Sequence, residues 1–442
     1  MSIMEVIKDG DFVVIQRDNY MRTQKLVSNK NCLVNLSRDS IELKNVIGHP
    51  YGSAFRMIPH ESKKKLWKVE LTEEILDFEE VFLSENEPSG EDNRNLRDMN
   101  TETQSLKKEQ IDAMREECVD GKDIVEQLIE NSASFHQKTK FSQAKFLKKK
   151  AKKYHQFIVI KKPSVRLIMQ INYKNDPLKM MNLRIDTLAQ LLNNANIHSG
   201  GKYMIYETGC QGIVVASALE RIGTNPEGKI VHIFQTGCPQ TNSLNAMNFK
   251  EDIMNNMTTI NMYHLRALEQ GKDITQMHKK PSENDNDAAV ESDNKPSENE
   301  KPPVRQKQRE ESINSYEVLK QKKMDGLIIA CKQHPSNILL ALMKYLSYSR
   351  PFVVFSPYKE PLLETYFAIK ETGQALMVSI TESWLRNYQV LPDRTHPEVL
   401  MSGGGGYILS GIYVDNSNPE GYTISNNGDS NNHSQHRKKR RY

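Results

Sequence analysis

The sequence predicts an α/β domain on a mostly parallel sheet, preceded by a small β-rich, barrel-like domain. Three observations carry this expectation. An apolar stretch (Tyr203 to Tyr206), a glycine-bearing turn (Glu207 to Gly212) and a helix-like apolar run (Ile213 to Ile222) follow one another. Lys229 to Phe234 then supplies a second strand at the pitch of a right-handed βαβ unit. Ahead of residue 85, short apolar runs alternate with turn residues, the pattern of a small barrel or sandwich.

In chain order, the candidate strands of residues 1–85 are Phe12 to Ile15, Gln24 to Val27, Cys32 to Val34, Ile41 to Ile47, Phe55 to Ile58 and the alternating Leu66 to Glu70. Residues 86–153 read as a polar linker followed by helices. Ile124, Leu128 and Ile129 share one helical face, and Phe141, Lys145 and Lys149 share another. Residues 154–415 read as the α/β domain, opening with strand-like Phe157 to Ile160 and Val165 to Ile171 and an amphipathic helix from Leu183 to Leu192. Beyond the first βαβ unit lie the strand Gly326 to Ala330, the helix Ile338 to Tyr348, the strand Pro351 to Phe355 and the helix Glu360 to Thr372. Ala375 to Ile380, Ser383 to Val390 and Tyr407 to Val414 close the domain as strands with a hairpin. Residues 279–313 interrupt it with a repeat, Lys280 to Asn284 and Lys295 to Asn299. Their near absence of aromatic and β-branched residues predicts a disordered surface loop. Residues 416–442 form a polar, basic-ended tail of the same kind.

Composition narrows the class. No apolar run approaches the roughly 20 residues that span a bilayer, and Met1 to Asp11 lacks a signal-peptide core. The five cysteines are scattered and unpaired in spacing, so neither a disulfide framework nor a zinc site is expected. An intracellular protein with no metal and no membrane partner is the expectation. The net charge of +4 is unevenly spread, with cations concentrated in Lys148 to Lys153 and His436 to Arg441. Such asymmetry suits a nucleic-acid partner.

The turn Tyr206-Glu207-Thr208-Gly209-Cys210-Gln211-Gly212 lies where a nucleotide-type cofactor packs against a strand-to-helix turn, because glycines let the backbone come close. Class I, Rossmann-like S-adenosylmethionine methyltransferases write this turn as acid-x-Gly-x-Gly-x-Gly. Glu207 and Gly209 keep the acid and first glycine, whereas Gln211 and Ile213 replace the second and third. The strand ending at Phe234 lacks the acid that pairs with ribose hydroxyls. Opposing an apolar wall to those hydroxyls forfeits a bond of about 1.5 kcal/mol. Ala330 and Cys331 stand where a polar catalytic residue is expected. Three losses along one cofactor path predict a class I methyltransferase-like domain without catalytic residues and with no cofactor bound by this chain. An active S-adenosylmethionine-dependent RNA methyltransferase with a divergent pocket and a general RNA-binding scaffold are the competing readings.

Six segments make the chain similar to a known family: Gly10 to Lys25 (GDFVVIQRDNYMRTQK), Asp92 to Leu96 (DNRNL), Lys145 to Tyr154 (KFLKKKAKKY), Asp186 to Gln190 (DTLAQ), Asp325 to Pro335 (DGLIIACKQHP) and the long run Glu382 to Gly411 (ESWLRNYQVLPDRTHPEVLMSGGGGYILSG). With these it resembles the non-catalytic subunits of the eukaryotic tRNA (adenine-58-N1)-methyltransferases. The resemblance implies a heterotetramer of two catalytic and two non-catalytic subunits. The partner would bind S-adenosylmethionine, and this chain would supply tRNA-binding surface for m1A formation in the T-loop.

Candidate tRNA contacts follow, each beside an ordinary structural alternative. Lys148, Lys149, Lys150, Lys152 and Lys153, with Lys145 one turn earlier, offer ammonium groups to phosphates, or form a solvated helix face or an import signal. Tyr154 beside them is a stacking or a packing residue. Asn93, Arg94 and Asn95 suit RNA edges and 2′-hydroxyls, or form a linker. Met401, Ser402, Gly403, Gly404 and Gly405 form a backbone anion nest or a bulged turn. Arg386 and Arg394 flank the preceding hairpin, which reaches towards RNA or a partner subunit, or Arg394 forms a local ion pair with Asp393. Lys332 and Lys359 follow strands on the edge where open α/β sheets bind ligands, and meet phosphate or are plain surface lysines. Arg437 to Arg441 is the candidate nuclear-localisation signal, which places the protein in the nucleus.

Overall fold

The computed structural model describes residues 5–18, 20–28, 32–36, 39–60, 66–73, 104–116, 119, 121–132, 134–154, 156–235, 237–274, 303–390, 395–401 and 403–415, with only the backbone given at 115, 116, 151, 152 and 303–306. The expectations for Asn93, Arg94, Asn95, Arg394, Ser402, the side chain of Lys152, the loop up to residue 302 and the tail lie outside these residues.

The first sheet has seven strands. β1 (Phe12–Arg17), β2 (Tyr20–Lys25), β3 (Leu33–Leu36), β4 (Asp39–Glu42), β5 (Ala54–Pro59) and β6 (Leu66–Thr72) come from the N-terminal region. Helices α1 (Lys108–Glu116), α2 (Gly121–Glu130) and α3 (Lys140–Tyr154) follow, and β7 (Phe157–Lys161) then returns to pair antiparallel with both β1 and β5. The order is β2-β1-β7-β5-β6-β4-β3. Its outer strands approach each other. Arg22 on β2 donates to the Asn35 carbonyl of β3 at 3.0 Å, and Arg17 pairs with Asp39 of β4 at 2.7 Å. The curled sheet encloses Val13, Ile15, Phe55, Trp67, Val69, Ile158 and Ile160, which makes it the barrel-like domain expected. The boundary drawn at 154 is corrected: β7 belongs to this sheet, because Ile158 and Ile160 complete its core.

The second sheet is preceded by α4 (Val165–Asn175) and α5 (Ile185–Asn194). The stretch expected as a strand at Val165 to Ile171 is helical. Ser164 accepts the Leu167 N–H at 3.4 Å as its N-cap, and Ile168, Met169 and Ile171 line one buried helical face. The sheet then assembles from β8 (Lys202–Glu207), α6 (Ile213–Ile222), β9 (Lys229–Phe234), α7 (Asn242–Ala246), α8 (Glu251–Met254), β10 (Met257–Asn261), α9 (Met262–Glu269), α10 (Pro303–Lys320), β11 (Gly326–Ala330), α11 (Ser336–Met343), β12 (Pro351–Ser356), α12 (Glu360–Glu371), β13 (Ala375–Glu382), β14 (Tyr388–Gln389), β15 (His396–Pro397) and β16 (Tyr407–Tyr413). The order β10-β9-β8-β11-β12-β16-β13 is parallel except for β16, which lies antiparallel between β12 and β13. Apolar clusters pack on both faces, which explains why β8, β9 and β11 read as unbroken apolar runs.

Two further expectations are corrected. Residues 303–313 are not loop but the first turns of α10. Glu311 accepts the Thr259 N–H at 3.0 Å and Ser315 donates to the Thr259 carbonyl at 2.9 Å, so a largely polar helix docks on β10 through hydrogen bonds, while Leu319 near its end enters the apolar cluster of the sheet. Ser383 to Val390 is no full strand. Only Tyr388 and Gln389 pair, with Pro397 and His396, in a small arm apart from the main sheet. The two domains meet through Asn248, whose side chain accepts the Phe12 N–H at 2.8 Å and donates to the Phe12 carbonyl at 2.7 Å.

Candidate functional site: a filled cofactor path and a basic helix

The turn between β8 and α6 keeps the backbone of a glycine loop. Gly209 sits at φ +100° and Gly212 at φ +77°. Gln211 sits at φ +60°, a left-handed conformation that costs a residue with a Cβ about 1–2 kcal/mol. The space such a turn offers is taken. A Cβ on Gly209 would lie 2.7 Å from Lys332 Cε and 2.9 Å from Met181 Sδ, so these side chains already cover the glycine. Gln240 Oε1 accepts both the Gly209 N–H (2.8 Å) and the Gln211 N–H (3.1 Å), the donors that would face an anionic or nucleotide ligand. Asn242 donates to Gln211 Oε1 at 2.6 Å and holds that side chain outward.

The retained acid serves the fold. Glu207 is buried and accepts from the Gly212 N–H at 2.7 Å and the Val215 N–H at 3.1 Å, so its carboxylate caps the N-terminus of α6. Burial pushes its pKa up to about 7, and the backbone N–H groups of residues 212–215 oppose that shift. On the next strand His232 is buried with neither ring nitrogen in hydrogen-bond geometry, and burial pushes it down to about 4. Phe234 ends β9 as an almost buried ring. Ala330 is fully buried, and its carbonyl accepts the Thr208 N–H at 2.9 Å. Ile213 packs in the core under the turn. Ile213, Phe234 and Ala330 thus offer no polar side chain to S-adenosylmethionine, the Gln211 amide is engaged by Asn242, and the loop donors at Gly209 and Gln211 are engaged by Gln240. The residues present do not fit that cofactor.

The basic residues gather on α3. Lys145, Lys148, Lys149 and Lys153 are exposed along it. Lys150 is half-buried with its Nζ 5.1 Å from the Phe146 ring centre, and burial together with the charges of Lys153 and Lys149 lowers its pKa. Tyr154 is corrected from stacking to packing: it is 2% exposed in the cluster with Leu128, Phe135 and Leu147. Lys153 Nζ lies 5.2 Å from its ring.

The other candidates lie apart from α3. Lys332 rises beside Gly209, and Lys359 is exposed just before α12. Arg386 is exposed with its guanidinium 4.6 Å from the Trp384 ring centre. The glycine run is corrected in part. Gly403 and Gly404 are exposed, but Gly405 lies against the Arg184 guanidinium and its carbonyl accepts from Thr187 at 2.8 Å. Gly405 therefore packs, and only a residue without a Cβ leaves Arg184 in place. Met401 Sδ accepts the Asn387 N–H at 3.1 Å and closes the root of the arm. Sequence reasoning missed Met181, Gln240, Arg184 and Ser383. Arg184 and Ser383 adjoin or fall in segments already notable, DTLAQ and ESWLR, whereas nothing local marks Met181 or Gln240.

Among the described residues no group of His, Cys, Asp and Glu is placed to hold a metal ion, and no helix is long and apolar enough to cross a membrane.

A seven-stranded sheet with one antiparallel strand set between the last two, and a glycine turn after the strand β8, defines a class I methyltransferase fold; here the glycine turn is covered by Lys332 and Met181. Residues 6–311 match the Gcd10p family, and the chain belongs to that family. It is 34% identical to the tRNA (adenine(58)-N(1))-methyltransferase non-catalytic subunit TRM6 of Mus musculus, covering 92% of this chain and 88% of the relative. It is 32% identical to the subunit of the same name from Dictyostelium discoideum, over 92% and 80% of the two chains. Among solved structures it is similar to a SAM-dependent O-methyltransferase from Thermotoga maritima, with 11% identity, a TM-score of 0.47 and coverage of 93% and 95%.

Proposed function

We propose that this chain is the non-catalytic, tRNA-holding subunit of a tRNA (adenine-58-N1)-methyltransferase and does not methylate by itself. The observation that carries the reading is the filled cofactor path inside a retained methyltransferase fold: Gln240 on the loop donors, Lys332 and Met181 over Gly209, Phe234 at the ribose position. The names of the mouse and Dictyostelium relatives support it. The catalytic partner binds S-adenosylmethionine and performs the base chemistry, in an assembly of two plus two subunits. This chain contributes phosphate-binding charge from α3 and a braced scaffold. The complex works in the nucleus, with the basic tail as its import signal.

Affinity purification of the full chain tests the partnership. It should recover a class I subunit with an intact glycine turn, and only the pair should methylate tRNA. Failure to recover such a subunit, or methylation by this chain alone, contradicts the proposal.

A further inference from the structure

A cavity of about 210 Å³ lies at the carboxyl-terminal ends of β9 and β10, between α9 and α10. Phe234, Thr259, His264, Gln308, Arg309 and Ser312 line it, and none of the residues that cover the glycine turn does. The packing that closes the turn therefore leaves this recess open, on the edge where open α/β sheets bind ligands. Its floor is deep: Ser312 is buried and Phe234 is almost buried.

The lining is rich in donors and cationic. Ser312 Oγ donates to the Gln308 carbonyl at 2.8 Å and lies 3.0 Å from His264 Nδ1. With its one proton committed there, Ser312 can only accept from the imidazole. Nδ1 of His264 thus carries the ring proton, and Nε2 is the nitrogen that can take up another. Burial, and then the charge of Arg309, lower the His264 pKa, so the guanidinium stands within electrostatic reach of the ring. Gln308 Nε2 lies 3.9 Å from Cys238 Sγ, a weak acceptor. Asn261 is spent on the fold, accepting the Tyr263 N–H at 2.8 Å and donating to the Gln235 carbonyl at 3.2 Å. Among the described residues no carboxylate lines the cavity, and the neighbouring Glu311 is turned to the Thr259 N–H at 3.0 Å.

We infer that this cavity binds the terminal phosphate of a small phosphate monoester. Such a group carries about −1.5 to −2 charge at neutral pH and three acceptor oxygens. A guanidinium that can bind phosphate through two parallel N–H bonds, an imidazole able to gain a proton and neutral N–H and O–H donors answer that charge and those oxygens. A phosphodiester within an RNA strand has chain on both sides and does not reach a floor formed by Ser312, whereas a terminal monoester does. The inference is independent of the reading that this chain holds tRNA.

The test uses the full chain labelled with 13C at the histidine Cε1 position, with the His264 resonance assigned by His264→Gln. Inorganic phosphate and phosphoserine should each move that resonance towards its protonated position. Dimethyl phosphate, a diester, and acetate should bind at least about tenfold more weakly. Arg309→Gln should weaken phosphoserine binding about ten- to a hundred-fold, Arg309→Lys should restore part of it, and tRNA affinity should stay unchanged in both. A His264 resonance that ignores phosphate and phosphoserine, or answers dimethyl phosphate or acetate equally, would overturn the inference. These arms use the unsubstituted chain and do not depend on any variant folding. Undiminished phosphoserine binding in Arg309→Gln would also overturn it. So would a resonance moved by tRNA with displacement of phosphoserine, which would make the recess part of an RNA surface.

Discussion

Gln211 holds a left-handed backbone without being glycine, and Phe234 and Ala330 end their strands without a polar group. These substitutions were legible in the sequence because a strand-to-helix turn assigns each position a fixed duty. What fills the space was not legible. Met181, Gln240 and Lys332 arrive from distant parts of the chain, and only three-dimensional packing brings them to Gly209. Tyr154 shows the opposite limit, since its place beside lysines left stacking and packing both open and only the tertiary cluster decides for packing. The buried pair beneath the turn carries a pH prediction. Glu207, raised to about 7 from 4.5, contributes stability that is complete below 4.5 and lost as pH rises through 7. His232, lowered to about 4 from 6.5, contributes stability that is complete above 6.5 and lost as pH falls through 4. Between pH 7 and pH 5 the histidine alone removes on the order of 2 kcal/mol. His232→Leu should therefore lose less melting temperature than the parent over that interval. Equal pH sensitivity in thermal melts of the two proteins would refute the assignment.

α3 was readable as a helix from the spacing of Phe141, Lys145 and Lys149, and its charge from composition. α4 and α10 were misread for opposite reasons. α4 is rich enough in apolar residues to imitate a strand, while α10 is polar enough to imitate a loop and docks through Glu311 and Ser315. The arm from Ser383 to Gly405 was recognisable as unusual, but its attachment through Arg184 and Thr187 is a tertiary contact. The function assigned to α3 yields a prediction at this scale. Replacing Lys149, Lys150, Lys152 and Lys153 by alanine should weaken tRNA binding. It should also lower the salt slope, by roughly 0.7–0.9 for each phosphate no longer neutralised, with the subunits still assembled. Binding measured against salt concentration checks this, and an unaltered slope would leave the lysines as an import signal or a solvated face.

At the scale of the molecule, a barrel-like domain braces a methyltransferase sheet through Asn248 and Phe12, and β7 commits the chain after α3 to the barrel before the second sheet begins. A fold whose cofactor path is packed by its own side chains keeps its value as a surface. The basic helix and the exposed arm project from it, while the interior of the former site serves stability. On the proposed function this chain holds substrate RNA for a partner and binds no S-adenosylmethionine itself. Titration calorimetry with S-adenosylmethionine tests it most directly, on the isolated chain and on the reconstituted complex. The expected outcome is no binding heat for the chain alone and one cofactor per catalytic subunit in the complex. Micromolar binding to the isolated chain would contradict it.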